Sequence, residues 1–107
     1  MRAGLQRGST WIADLPPPHG IRPVVIVTRD RAIGLLTNVT AVLVTRTVHG
    51  APTEVELGPP EGMRTDCVAG CDNIVTIAKN LLRHRLGELG PEKVRELNGA
   101  IRIALDL

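Results

Sequence analysis

Two hydrophobic rhythms divide this chain. Up to residue 89 the apolar positions come in short runs broken by glycine and proline, and from residue 91 onward they recur every three or four residues. The first pattern predicts strands and the second a helix. Residues 9–15 (STWIADL) read as a short strand whose largest apolar group is Trp11, stopped by Pro16-Pro17-Pro18, which cannot donate ladder hydrogen bonds. After the loop PPPHGI come Arg22 and Pro23, then residues 24–28 (VVIVT), apolar on both faces and therefore a central strand. A residue before proline is biased toward extended backbone, which puts Arg22 at a strand mouth and not in a helix.

Residues 38–48 (NVTAVLVTRTV) form another long β-branched run, and residues 53–57 (TEVEL) alternate as a half-exposed strand does. With HGAP between them as a turn, the two are expected to make a hairpin. GPPEG at 58–62 is a loop, and DCVAG and DNIVTIA give two further short strand-like runs. Residues 79–89 (KNLLRHRLGEL) fit either a helical turn followed by a strand or one short helix. The tail is the clearest helix, with Gly90 at the cap, Pro91 and Glu92 in the first turn, and Val94, Leu97, Ile101, Ala104 and Leu105 on one stripe that packs against the sheet. Strands followed by one late helix imply a mainly β (α+β) fold, a small and strongly curved sheet or barrel closed by that helix.

A chain of 107 residues, 43% hydrophobic and 22% charged, suits one soluble domain spanning 1–107. No apolar run reaches the roughly 18 residues needed to cross a bilayer, and the first residues, MRAGLQRGSTWIADL, lack the apolar middle of a secretory signal. The expected location is the cytoplasm, with no membrane partner. Cys67 and Cys71 are too few for a zinc set or a disulfide framework and read as reduced core thiols, a redox pair being the alternative. A net charge of +2 permits nucleic acid without identifying it. One Trp with no Tyr and no Phe argues against gripping RNA by base stacking, so Arg and backbone groups would have to carry such contacts.

Taken in order, RGSTWIADL, RPVVIVTRD, VTRTVHGAPTEVEL, DCVAGCDNIVTI and LGPEKVRELNGAIRIALDL resemble the MazF/PemK family of toxin–antitoxin ribonucleases over nearly the whole chain. The resemblance implies a small SH3-like barrel of the CcdB/PemK type, a homodimer, and cofactor-free, metal-independent cleavage of single-stranded RNA at short sequences. It also implies neutralisation by a cognate antitoxin whose C-terminal part wraps the toxin. The family's chemical groups, the Arg of an Arg-Pro pair and a Thr or Ser ending the third strand, fall on Arg22 and Thr45. Two departures stand out: the first loop is short, and Asn73 occupies a position where many relatives carry Gln.

The residues agree with such chemistry. RNA can be cut by its own 2′-hydroxyl, and a protein then supplies alignment, charge stabilisation and proton transfer. The planar fork of Arg22 suits phosphate oxygens, although a guanidinium is a poor general base. Thr45 can orient a phosphate oxygen, and no Asp–His relay adjoins it to make a nucleophile. In isolation Arg22 would read as a solvated charge and Thr45 as a plain strand residue; the family register is what singles them out. Arg46 and Arg29, at strand ends near these two in sequence, are expected to hold flanking phosphates, and His19 and Asn73 are further substrate-binding candidates, His19 being the imidazole nearest the centre in sequence and able to serve as acid or base. His49 and His84 have no positional argument, and Lys79, Arg83 and Arg85 only add to a basic surface. Two rivals keep the barrel: a CcdB-like inhibitor of a protein target such as DNA gyrase, and an inactive barrel that only sequesters antitoxin.

Overall fold

Why the sheet curls is visible in its order. The computed structural model describes residues 3–107. Among these, β1 (Ser9–Asp14), β2 (Ile21–Ile26), β3 (Asn38–Thr45), β4 (Glu54–Leu57), β5 (Cys67–Ala78) and β6 (Leu82–Glu88) form one sheet in the order β4-β5-β3-β2-β1-β6. Each neighbouring pair is antiparallel. The two edges, β4 and β6, are drawn toward each other by the 3₁₀ turn Pro59–Glu61 that follows β4. The Thr10 hydroxyl donates to the Glu61 carbonyl at 2.9 Å. Gly62 then passes so close to β6 that a Cβ there would sit 2.4 Å from the Leu86 carbonyl oxygen, and its φ of +89° belongs to the left-handed region glycine tolerates. The result is a half-barrel.

Central strands carry apolar side chains to both faces. Val24 and Ile26 enter a core with Trp11, Leu43, Ile33 and Leu82, while Val25 enters a second core with Val42, Val44, Val55 and Leu97. Helix α2 (Pro91–Leu105), opened by Gly90 and Pro91, closes the second core. Leu97 and Ala100 are buried there, with Val94, Ile101 and Ala104 packed alongside. Leu105 departs from the expected stripe at 53% exposure, although its neighbour Ala104 still packs against the second core.

Three expectations are corrected or resolved. Strands β3 and β4 do not form a hairpin: β5 lies between them and pairs with both. The connecting turn is wide, its backbone N–H groups at His49 and Ala51 donating to the Glu54 carboxylate. DCVAG and DNIVTIA are one strand, β5, whose register jumps between Val42↔Ile74 and Leu43↔Gly70. Cys71, Asp72 and Asn73 are the residues of that bulge, and the Cys71 N–H is tied to the Thr53 carbonyl at 2.9 Å. Residues 79–89 take the first of the two expected forms, a 3₁₀ turn at Lys79–Leu81 leading into β6. One further element, the single turn α1 (Asp30–Ile33), was not anticipated; it tucks Ala32 and Ile33 inward, and Asp30 accepts the Arg7 N–H at 2.7 Å.

Both cysteines are free and buried. Four residues of extended strand span roughly 13 Å, well beyond a disulfide's reach. Burial, then the Asp66 and Glu61 carboxylates, push the Cys67 thiol up. Burial, and secondarily Asp72, push Cys71 from 9.0 to about 11.

Two outcomes follow from this packing. Leu97→Ala should cost about 2–5 kcal/mol in urea unfolding, and Leu105→Ala less than about 0.5 kcal/mol, since only the first empties a core site. Equal losses would contradict the placement of α2. For Cys71, both folded and unfolded chains keep the thiol proton below pH 9.0, and between there and about 11 the unfolded chain releases it while the fold retains it. Stability should therefore fall with rising pH across that window, by up to about 1.4 kcal/mol per pH unit from this group. Denaturation below and within the window should show a shallower decline for Cys71→Ala than for the wild type.

Candidate active site

Arg22 is the second residue of β2 and Thr45 the last of β3. Val24 faces Leu43 across this pair, and extending the register by two residues sets Arg22 opposite Thr45. The half-buried guanidinium donates to the Val44 carbonyl through Nε at 3.2 Å and Nη2 at 2.5 Å. Of five guanidinium N–H groups two are thus committed, and three remain for a ligand. The Thr45 hydroxyl oxygen accepts the Thr47 N–H at 3.1 Å, leaving its own proton to donate. Arg22 and Thr45 together border two adjoining cavities, one of about 800 Å³ and one of about 440 Å³, so that a continuous groove passes over them.

The two halves of the groove differ in chemistry. The larger is flanked by Arg46, Arg64, His84 and the apolar Ile12, Ile21 and Met63. The smaller presents Asn73, Asp72, Thr53 and His49. The bulge in β5 turns Asp72 and Asn73 toward it, and the Thr53 hydroxyl donates to Asp72 Oδ2 at 2.7 Å, which fixes that carboxylate. Anions are favoured in the first half by its cationic side chains. The second offers fixed donors and acceptors of the kind that read polar edges.

Of the residues singled out in the sequence, the fold brings Arg22, Thr45, Arg46, His19 and Asn73 to this groove, His19 bordering both cavities. It does not bring Arg29, which caps α1 beyond the far end of β2. Seven residue steps of extended chain lead from Arg22 to Arg29, roughly 20 Å, too far to hold a phosphate at the same centre. Arg64, His84, His49 and Asp72 also belong to the groove, and local sequence did not single them out. His84 arrives through the β1–β6 pairing, opposite Ile12. Arg83 and Arg85 are engaged with Asp14 and Glu88, away from this centre.

No group of three or more His, Cys, Asp and Glu among the described residues is placed to hold a metal ion. Among the described residues no helix is long and apolar enough to cross a membrane.

The chain is similar over most of its length to known proteins. A probable endoribonuclease MazF2 of Mycobacterium tuberculosis is 35% identical over 99 residues, covering 92% of this chain and 95% of that one. Among solved structures, Mycobacterium tuberculosis toxin MazF-mt6 superposes with a TM-score of 0.86 at 37% identity, covering 92% of this chain and 97% of that one. A mycobacterial endoribonuclease solved in complex with its cognate antitoxin gives a TM-score of 0.85 at 34% identity, with 95% of each chain covered. Residues 6–105, the stretch that carries the half-barrel, α2 and both Arg22 and Thr45, match the family described as PemK-like, MazF-like toxin of type II toxin-antitoxin system, and the chain belongs to that family.

Proposed function

We propose that this chain is a toxin endoribonuclease that cuts single-stranded RNA by attack of the 2′-hydroxyl on the adjacent phosphorus, without a metal or other cofactor, in the cytoplasm. The observation that carries the reading is the juxtaposition of the Arg22 fork and the Thr45 hydroxyl over one groove, in a chain whose relatives are named endoribonucleases. The three uncommitted N–H groups of Arg22 face the charge that grows on the non-bridging oxygens in the transition state. The Thr45 proton points one of those oxygens. Proton removal from the 2′-hydroxyl and delivery to the departing 5′-oxygen fall to the imidazoles of the groove, His19 first among them, since an imidazole nitrogen can accept a proton and hand one on. Arg46 and Arg64 hold flanking phosphates, and Asn73 with Asp72 contacts a base edge.

The gyrase-inhibitor reading leaves this groove without a task, the antitoxin-sink reading leaves the Arg22–Thr45 pairing without one, and no observation favours either. The antitoxin of this chain is read as an acidic segment running along the same groove, pairing with Arg46 and Arg64 and folding as it binds. Leu35, Val48, Ile103 and Leu107 stand exposed on the isolated chain, and a two-fold pairing that covers apolar surface of this kind supports a homodimer of single-domain subunits.

Incubation of purified protein with a long single-stranded RNA in EDTA should yield discrete fragments whose 5′-hydroxyl ends accept a kinase label directly and whose 3′ ends are 2′,3′-cyclic phosphates. EDTA-sensitive cleavage or 5′-phosphate ends would replace this chemistry with metal-assisted hydrolysis. Arg22→Lys and Thr45→Ala should each lower kcat by about 10²-fold, the size of losing one preorganised donor. Light scattering at micromolar concentration should give twice the chain mass; a strict monomer would remove the homodimer from the reading and leave the cleavage chemistry untouched.

A further inference from the structure

The anchoring of Arg22 depends on what its neighbour lacks. Val27 N–H donates to the Thr40 carbonyl at 2.9 Å. Opposed residues of an antiparallel pair alternate between hydrogen-bonded and non-bonded positions. With Val25 facing Val42 in the same register, the bonded positions are Val27–Thr40, Val25–Val42 and, one step on, Pro23–Val44. At a bonded position the N–H and C=O of a residue point at the same partner strand, so the Val44 carbonyl is aimed at β2 and not at β5. The residue facing it is a proline, with no N–H to give. Val44 is 3% exposed, and both hydrogen bonds that reach its carbonyl come from Arg22.

We infer that Pro23 is a positioning residue for RNA cleavage: by withholding the backbone N–H opposite Val44, it makes that carbonyl the anchor of the Arg22 guanidinium. A carbonyl oxygen has two lone pairs, and Arg22 fills both. Any other residue at 23 would bring an N–H held in place by the ladder itself, a third donor that displaces Nε or Nη2. The guanidinium would then lose its fixed orientation at the groove while keeping its charge. Proline also holds Arg22 extended, but the missing donor is the effect that reaches the guanidinium.

The role in cleavage rests on the nuclease reading above, whereas the anchor itself can be read without any RNA. The test uses Pro23→Ala, Arg22→Ala and the double variant. In Pro23→Ala the backbone amide introduced at position 23 should be protected from hydrogen exchange by about a hundredfold or more, and the Arg22 Nε–H should exchange about tenfold faster than in the wild type. Arg22→Ala should melt at a lower temperature, because the Val44 carbonyl loses its donors. Adding Pro23→Ala to that background should raise the melting temperature again without restoring cleavage, while the same change alone should not raise it. On a long mixed-sequence single-stranded RNA in EDTA, Pro23→Ala should lower kcat about tenfold or more with KM within about twofold, as misorientation of a group engaged in the transition state does. A proline with a merely structural role would shift the melting temperature equally in both backgrounds, and that result, or an unprotected amide at position 23, would overturn the anchor. A protected amide with wild-type kcat would overturn the positioning role, and a wild-type protein that cuts no RNA would overturn that role together with the nuclease reading, leaving exchange and melting to decide the anchor alone.

Discussion

Val25 faces Val42 on one side and Thr10 on the other, and this central pairing is what both cores and the groove depend on. Because side chains alternate along a strand, it sends Val24 and Ile26 to one core and Val25 to the other. A slip of one residue would exchange the two faces and strand polar neighbours inside. The same slip would carry Arg22 past Thr45. Valine packing, a sequence-unspecific force, therefore holds Arg22 opposite Thr45 at the groove.

Curvature gives that alignment a concave surface. The turn at 58–62 is clasped to β6 through Gly62 and to β1 through Thr10, so the sheet cannot flatten without losing that close packing and a buried hydrogen bond. Glu61, 7% exposed, receives the Gly58 N–H at 2.7 Å and keeps the turn closed. On the opposite wall the bulge at 71–73 turns polar side chains toward the groove that a regular strand would aim elsewhere. Neither device contains a reacting group, yet each decides which groups Arg22 and Thr45 meet.

Local pattern carried the strands around Trp11 and Val25 and the helix opened by Gly90 and Pro91, because their signals lie within a few residues of one another. It misled where pairing is remote. The 38–48 and 53–57 runs look like hairpin partners when only their linker is considered, but the eight residues between Thr45 and Glu54 are organised around the Glu54 carboxylate and leave room for β5. Arg22 and Arg29 both border the VVIVT run and look equivalent in sequence, yet a strand has two ends, and the groove lies at only one. His84 needed the pairing of β1 with β6, more than seventy residues apart. Arg22 and Thr45 were singled out only through family resemblance, since an arginine before proline and a threonine in a strand are by themselves commonplace; what the structure adds is that both border one groove.

A free surface arginine carries about 2 kcal/mol of rotamer entropy that must be given up when it grips a phosphate. Tying Nε and Nη2 to the Val44 carbonyl moves that cost from ligand binding to folding, where the buried carbonyl's need for a donor offsets it. The arrangement also couples the two chemical groups, because Val44 and Thr45 share a peptide bond. The guanidinium and the hydroxyl are thus referenced to the same few atoms of β3, and thermal motion of the β1–β2 loop, where His19 sits, need not disturb their spacing. What the fold provides at this centre is a short, stiff mechanical path between two donors, with His19 and His84 on the rim of the same groove.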